Sequence, residues 1–192
     1  MPVSTIPGAG ITTSTTLTTP IVATTMGVGG ATPSNSGSGI TFPASQSAST
    51  NANTLDDYEE GSFTPIIEGQ AGAGTYVYDT TNTFGRYQKV GNRVNFDLSV
   101  GVSSVTSAGS GNLYVSNLPF VSQGFTNYYA SCSVGYFIFV TTGWTGYYIS
   151  CLTLVGSSKL GIYYSGTSGS VAMPISVMNG ASYLYISGSY LT

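Results

Sequence analysis

At 192 residues, the chain has room for one domain of ordinary size and an extension, but not for two full domains. Hydrophobic residues make up 41% of it, which is enough for a core, whereas charged residues make up only 6%, against roughly a quarter in typical soluble domains. The net charge is −3 with four basic residues, too few for the clustered Lys and Arg that bind phosphates, so nucleic acid is not an expected partner.

The first predicted element is an extended arm over residues 1–60. Thr, Ser, Gly, Ala and Pro dominate its composition, and single large apolar residues such as Met26 and Ile40 recur through it. The β-branched residues favour extended backbone, while Pro and Gly divide it into short pieces. We expect the arm to become ordered by lying against another chain or a neighbouring subunit, and a flexible tail is the alternative.

Neither membrane insertion nor secretion is predicted. No apolar run approaches the roughly 18 residues that a membrane helix needs, and the N-terminus has neither a basic region nor a long apolar segment. We therefore expect synthesis in a cytoplasm, where Cys132 and Cys151 emerge as thiols. Both lie in strand-like runs, and reducing compartments disfavour disulfides, so buried free cysteines are the expectation and a disulfide is the alternative.

A charge cluster spans the predicted junction of arm and domain. Four of the seven carboxylates lie within five consecutive residues, and three of the four basic residues follow in one short stretch. Such carboxylates could bind a hard cation such as calcium, but pairing with the nearby bases, within the chain or between subunits, accounts for them without a metal. We predict that the cluster sets the arm-to-domain junction of an oligomer. Its members are Asp56, Asp57, Glu59, Glu60, Arg86, Lys89 and Arg93.

Residues 61–192 predict an all-β head domain, an antiparallel β-sandwich or jelly roll. In the segment 93–100, apolar and polar residues alternate strictly, as in a half-buried strand. Gly91-Asn92 precedes it as a two-residue hairpin signal. No segment shows a helical period. Further strands are predicted, separated by Gly, Ser and Asn clusters, at Asn112–Ser116, Tyr128–Thr141, Tyr147–Val155, Lys159–Tyr164, Val171–Val177 and Ser182–Leu191.

The chain is not predicted to be an enzyme or to need a cofactor. It contains no histidine, which excludes Ser-His-Asp and Cys-His catalysis, and it has no glycine-rich loop followed by the Lys-Ser/Thr of a phosphate-binding loop. All carboxylates lie between Asp56 and Asp97. The C-terminal half therefore has no acid for the paired-carboxylate chemistry of glycosidases.

The C-terminal half is instead the predicted recognition surface. Residues 98–192 hold one charged residue, Lys159, together with eleven of the fifteen tyrosines and the only tryptophan. Adjacent residues of a strand face opposite sides, so one tyrosine of each adjacent pair can be exposed. Exposed aromatic rings with many hydroxyls and amides suit sugar rings, and burial between subunits is the alternative. The candidate glycan contacts are Tyr128, Tyr129, Trp144, Tyr147 and Tyr148.

Three motifs give the chain a family resemblance. The stretch Leu55-Asp-Asp-Tyr-Glu-Glu-Gly-Ser-Phe-Thr-Pro65 resembles a module of tailed-bacteriophage fibre and virion structural proteins that typically reads Leu-Asp-Asp-Tyr-Glu-Glu-Gly-Thr-Trp-Thr-Pro. The similarity continues through Gly85-Arg-Tyr-Gln-Lys-Val-Gly-Asn-Arg-Val94 and Ser116-Asn-Leu-Pro-Phe120. It covers about residues 39–120, and Ser62-Phe63 stands where Thr-Trp is usual, which preserves an aromatic residue.

The resemblance implies a homotrimeric β domain on the surface of a phage virion. Residues 1–60 would then serve for oligomerisation or for attachment to other virion proteins of the tail or capsid. The expected function is that of a short tail fibre or receptor-binding protein whose head touches host surface polysaccharide. The alternative is a capsid decoration protein whose arm clamps adjacent capsomers. The family supplies no catalytic residues.

Overall fold

A computed structural model describes residues 25–51, 53–139 and 148–192. The chain divides into two compact units, residues 1–45 and 46–192. In the first unit, the short strands β1 (Thr25–Gly27) and β2 (Gly39–Thr41) pair in parallel. Ser34 lies between the two strands in the sequence and is hydrogen-bonded to both. Its carbonyl accepts from the Thr25 hydroxyl, and its backbone N–H donates to the Thr41 hydroxyl.

The second unit is all-β, which confirms the predicted fold class. One 3-10 turn, Ile175–Val177, is the only helical element among its described residues. Its eleven strands form a single sheet in which every pair is antiparallel. They are β3 (Tyr58–Phe63), β4 (Ile66–Gly69), β5 (Thr75–Tyr78), β6 (Phe84–Val90), β7 (Arg93–Ser107), β8 (Leu113–Ser116), β9 (Ser131–Ile138), β10 (Ile149–Thr153), β11 (Leu160–Gly166), β12 (Gly169–Ala172) and β13 (Ser182–Leu191).

The sheet curls around one core. Its strand order is β3-β6-β7-β13-β9-β10-β11-β8-β4, with β5 added beside β7 and β12 beside β11. Buried residues from distant strands of this path, such as Ile67 on the last strand, β4, and Val94 on the third, β7, belong to the same apolar cluster. Tyr190 on β13 is fully buried in it, and its hydroxyl donates to the carbonyl of Phe120 at 3.0 Å. A wide sheet thus encloses its own core instead of needing a second layer.

The alternating segment behaves as predicted, with one exception. Val94, Phe96 and other apolar residues of β7 are buried, while the polar residues between them are exposed as far as Asp97. Gly91 and Asn92 make the hairpin between β6 and β7, and Gly91 has a φ of 56°. Ser99 is buried although it belongs to the polar set, because its hydroxyl donates to the carbonyl of Asn82 at 2.7 Å.

Two predicted strands have different bounds in the structure. The predicted strand Val171–Val177 stops at Ala172, and the 3-10 turn follows Pro174, whose ring fixes φ at −72° and removes a backbone donor. The predicted strand from Tyr128 begins only at Ser131. Asn127 has a φ of 63°, so a turn precedes Tyr128 and Tyr129 and the two tyrosines lie in a loop.

The stability of the protein should fall as the pH rises above about 10. The hydrogen bond to the Glu59 carboxylate and partial burial raise the pKa of Tyr87 to about 12. Burial raises the pKa of Tyr190 as well. The unfolded chain therefore loses these phenolic protons first, and the free energy of unfolding decreases between pH 10 and 12. Denaturant titrations at neutral and alkaline pH measure the loss, which should be smaller in Tyr87→Phe. An equal loss in that variant would contradict the assignment.

Candidate functional site

A polar row crosses the outer face of the sheet, the face opposite the core. Residues in direct register on five neighbouring strands, β3, β6, β7, β13 and β9, form it. All of them are exposed, because the side chains that alternate with them fill the core. The row consists of Ser62, Arg86, Asp97, Ser187 and Ser133.

A β-bulge in β9 opens a cleft beside this row. Tyr136 pairs with Tyr185 on β13 and Val134 with Ile186, so Gly135 is an extra residue in β9. A Cβ at Gly135 would meet no atom within 4 Å, so the space next to this residue is open. The result is the bulge cleft, a cavity of about 260 Å³ lined by Phe84, Asp97, Leu98, Ser99, Gly135, Tyr185, Ile186 and Ser187.

Aromatic rings form the walls of the bulge cleft. Phe84 is 51% exposed on β6, and Tyr185 lies on β13 on the other side of Ser99. The ring of Tyr136 contacts that of Tyr185 edge to face, with centroids 5.4 Å apart. This contact restrains the Tyr185 ring without burying it, so it presents apolar surface to a ligand at low entropic cost.

A polar cleft adjoins the bulge cleft at Asp97. Its cavity of about 320 Å³ is lined by Arg86, Tyr87, Gln88, Asn95 and Asp97. The Gln88 amide donates to the Tyr58 hydroxyl at 3.1 Å, and that hydroxyl donates to Glu60 at 2.8 Å. We call the two clefts together the outer-face groove. One end of the groove is polar, with guanidinium, amide, carboxylate and hydroxyl groups, and the other end is aromatic. This combination suits a ligand with many hydroxyl groups.

A smaller tyrosine cleft lies farther along the sheet. Its cavity of about 210 Å³ is lined by Tyr129, Ser150, Leu152, Tyr163 and Ser170. Burial, and to a lesser extent the neighbouring hydroxyls of Tyr114 and Tyr129, raise the pKa of Tyr163. Like any tyrosine hydroxyl, that of Tyr163 is protonated at neutral pH and can donate a hydrogen bond to a ligand.

Of the five predicted glycan contacts, three lie in the described residues, and each of the three makes different contacts. Trp144 and Tyr147 lie outside the described residues. The hydroxyl of Tyr128 accepts a hydrogen bond from the backbone N–H of Leu191 at 2.8 Å, which ties the loop to the end of β13. Tyr129 lines the tyrosine cleft. Tyr148, 83% exposed, directly precedes β10.

The predicted charge cluster separates into buried and exposed parts. Lys89 and Asp57 make an ion pair within the chain, and both are almost fully buried, so this pair is closed to a neighbouring subunit. Lys89 also donates to Gln46 at 3.2 Å and lies over the ring of Phe120. These contacts hold the segment that leads into β3 against β6.

The other members of the cluster make separate contacts. The backbone N–H of Ser49 donates to Asp56 at 2.7 Å and is the main cause of the lowered pKa of that carboxyl group. Tyr87 donates to Glu59 and Tyr58 to Glu60. Arg93 donates to Ser189 at 3.3 Å. Arg86, in contrast, lies in the outer-face groove.

The described ranges contain neither a candidate metal site nor a candidate membrane-spanning helix. No group of three or more His, Cys, Asp or Glu side chains there could hold a metal ion. In the same ranges, no helix is long and apolar enough to cross a membrane.

Sequence reasoning missed the aromatic part of the groove. The polar side of β7, with Asn95 and Asp97, was identified from the alternation alone. Phe84 and Tyr185 are 101 positions apart in the sequence and meet only through the β6-β7-β13 pairing. No local pattern marks Gly135 as a bulge, so the cleft has no signal in the sequence.

The fold is similar to part of a phage tailspike. A crystal structure of the Dettilon tailspike protein matches with a TM-score of 0.58 and 25% sequence identity. The match covers 69% of this chain but 23% of the tailspike chain. No protein-family model and no curated protein matches the sequence. The likeness is consistent with a structural protein of a phage tail.

Proposed function

We propose that the chain is a short tail fibre or receptor-binding protein of a phage and that it binds host surface glycans in the outer-face groove. The observation that carries this proposal is the position of Phe84 and Tyr185 beside the polar row at Asp97. Sugar rings offer apolar C–H faces together with hydroxyl groups, and the groove offers a partner for each. The similarity to a tailspike supports a place on the tail.

The groove suits binding better than cleavage. Glycosidases use two carboxyl groups about 5–9.5 Å apart, and Asp97 is the carboxylate that lines the groove. Glu60, two strands away and two residues out of register, lines neither cleft. Glu60 also accepts a hydrogen bond from Tyr58. We therefore propose that the protein holds the glycan without hydrolysing it.

Titration of the purified chain with surface polysaccharide from a susceptible host tests the binding. Saturable binding without release of reducing ends is expected, and polysaccharide from a resistant strain is the matched control. Equal binding of both, or none of either, would contradict a receptor-binding role. Release of reducing ends would instead establish a glycan hydrolase.

The proposed form is a homotrimer at the surface of the virion. Light scattering of the purified chain gives its mass in solution, and a mass of one protomer would contradict the trimer. Gold-labelled antibody on intact virions gives its position. Label on the tail is expected, whereas label across the head would replace the fibre proposal with that of a capsid decoration protein.

A further inference from the structure

The two cysteines of the chain are direct neighbours in the sheet. Cys132 on β9 and Cys151 on β10 are opposite each other in the antiparallel register, although 19 positions separate them in the sequence. Opposite residues of antiparallel strands have Cα atoms about 4.5–5.5 Å apart, and a disulfide needs about 4.4–6.8 Å. The Cα separation expected for this pair therefore lies in the range that a disulfide needs, while both residues are free thiols in the structure.

The absence of a side chain at one position of the neighbouring strand leaves room for the Cys132 sulfur. Cys132 also faces Gly188 on β13, and a Cβ at Gly188 would lie only 2.6 Å from the Cys132 sulfur. Any larger residue at position 188 would push that sulfur away. Cys151 is buried beneath the sheet, with 3% of its surface exposed, whereas Cys132 is partly exposed.

We propose that Cys132 and Cys151 are a redox modification site, at which an external low-molecular-weight disulfide converts the thiol pair into an intrachain disulfide. The Cys132 thiolate attacks the external disulfide, forms a mixed disulfide and releases one small thiol. Cys151 then loses its proton, attacks the Cys132 sulfur and releases the second small thiol. Two protein thiols are oxidised, and the external disulfide is reduced to two thiols.

The two thiols are suited to different steps. The hydrogen bond from the Cys151 thiol lowers the pKa of Cys132, and the same contact together with burial raises the pKa of Cys151. Cys132 is the more accessible of the two, so it is the sulfur that an external reagent reaches first. Cys151 lies in register to resolve the mixed disulfide.

The bond would reinforce a short strand pairing. Among the described residues, two residue pairs connect β9 to β10, and one of them is the cysteine pair, whereas ten pairs connect β13 to β7. A covalent bond there closes the chain between the two strands and restricts the unfolded state. Oxidation should raise the melting temperature by roughly 5–10 °C and slow amide exchange in β9 and β10 by tenfold or more.

Reaction of the reduced full-length chain with oxidised glutathione tests the proposal. Thiols are counted with a maleimide after denaturation, and the intact mass is recorded. The expected product has no free thiol, carries no glutathione, has lost two hydrogen atoms and runs as a single chain in non-reducing electrophoresis. Two persisting thiols, stable glutathionylation or a disulfide between chains would each overturn the proposal.

Two single variants separate the steps. Cys151→Ser should stop at the mixed disulfide and keep one glutathione on Cys132, because no second thiol can resolve it. Cys132→Ser should keep the buried Cys151 thiol unmodified over the same period. Faster modification of Cys151 than of Cys132 would show that the assigned order is wrong. The result does not depend on glycan binding, so it stands or falls separately from the proposed function.

Discussion

Replacement of Lys89 by methionine should lower the free energy of unfolding by about 3–5 kcal/mol, because it leaves the buried Asp57 carboxylate without its counter-ion. Both residues are about 5% exposed and form an ion pair within the chain. Lys89 also donates to Gln46 and lies 5.5 Å from the centre of the Phe120 ring. Equilibrium unfolding in denaturant measures the loss, which corresponds to a fall in melting temperature of roughly 10 °C.

The double variant Asp57→Leu/Lys89→Met shows whether the loss of stability in Lys89→Met comes from the unpaired Asp57 charge or from lost packing. Removal of both charges leaves no buried ion, so its stability should lie within about 1–2 kcal/mol of the wild type. Arg93→Met is the matched control, since Arg93 is an exposed cation on the neighbouring strand, and it should change stability by less than about 0.5 kcal/mol. A loss in Lys89→Met no larger than in this control would contradict the buried pair.

Substitution of Tyr185 by alanine should weaken the binding of host polysaccharide by roughly 10–30-fold, about 1.4–2 kcal/mol. The change removes one aromatic wall of the bulge cleft and leaves the polar row in place. Calorimetric titration of the folded variant measures the affinity. Tyr148→Ala is the matched control, because Tyr148 is an exposed tyrosine outside the groove. An affinity loss in Tyr148→Ala alone would place the glycan at the loop tyrosines and not in the groove.

Gly135→Phe probes the same cleft by filling it. A Cβ at this position would meet no protein atom within 4 Å, so the variant should keep its melting temperature while its ring occupies the ligand space. Binding should fall at least as far as in Tyr185→Ala. Unchanged binding in both variants would exclude the bulge cleft as the glycan site.

Local sequence pattern is enough to show which residues of a strand share a face. Alternation along β7 separates buried Val94 and Phe96 from exposed Asn95 and Asp97, and Gly91 marks the hairpin before it. These are local properties, because the side-chain period of a strand and the preference of glycine for positive φ act over a few residues. Composition alone likewise argues against His-dependent catalysis and nucleic-acid binding, because the chain has no histidine and few charged residues.

Which strands pair, and in which register, is visible only in the folded protein. The pairing of β9 with β10 joins Cys132 to Cys151, and the bulge at Gly135 opens the cleft beside Tyr185. The cysteine pair and the bulge cleft both depend on contacts between distant parts of the chain. Side-chain alternation cannot predict such contacts, because a strand shows the same alternation whichever strand it pairs with. Since a shift of one residue in register would move every side chain to the other face, the groove and the cysteine pair exist only in the folded sheet.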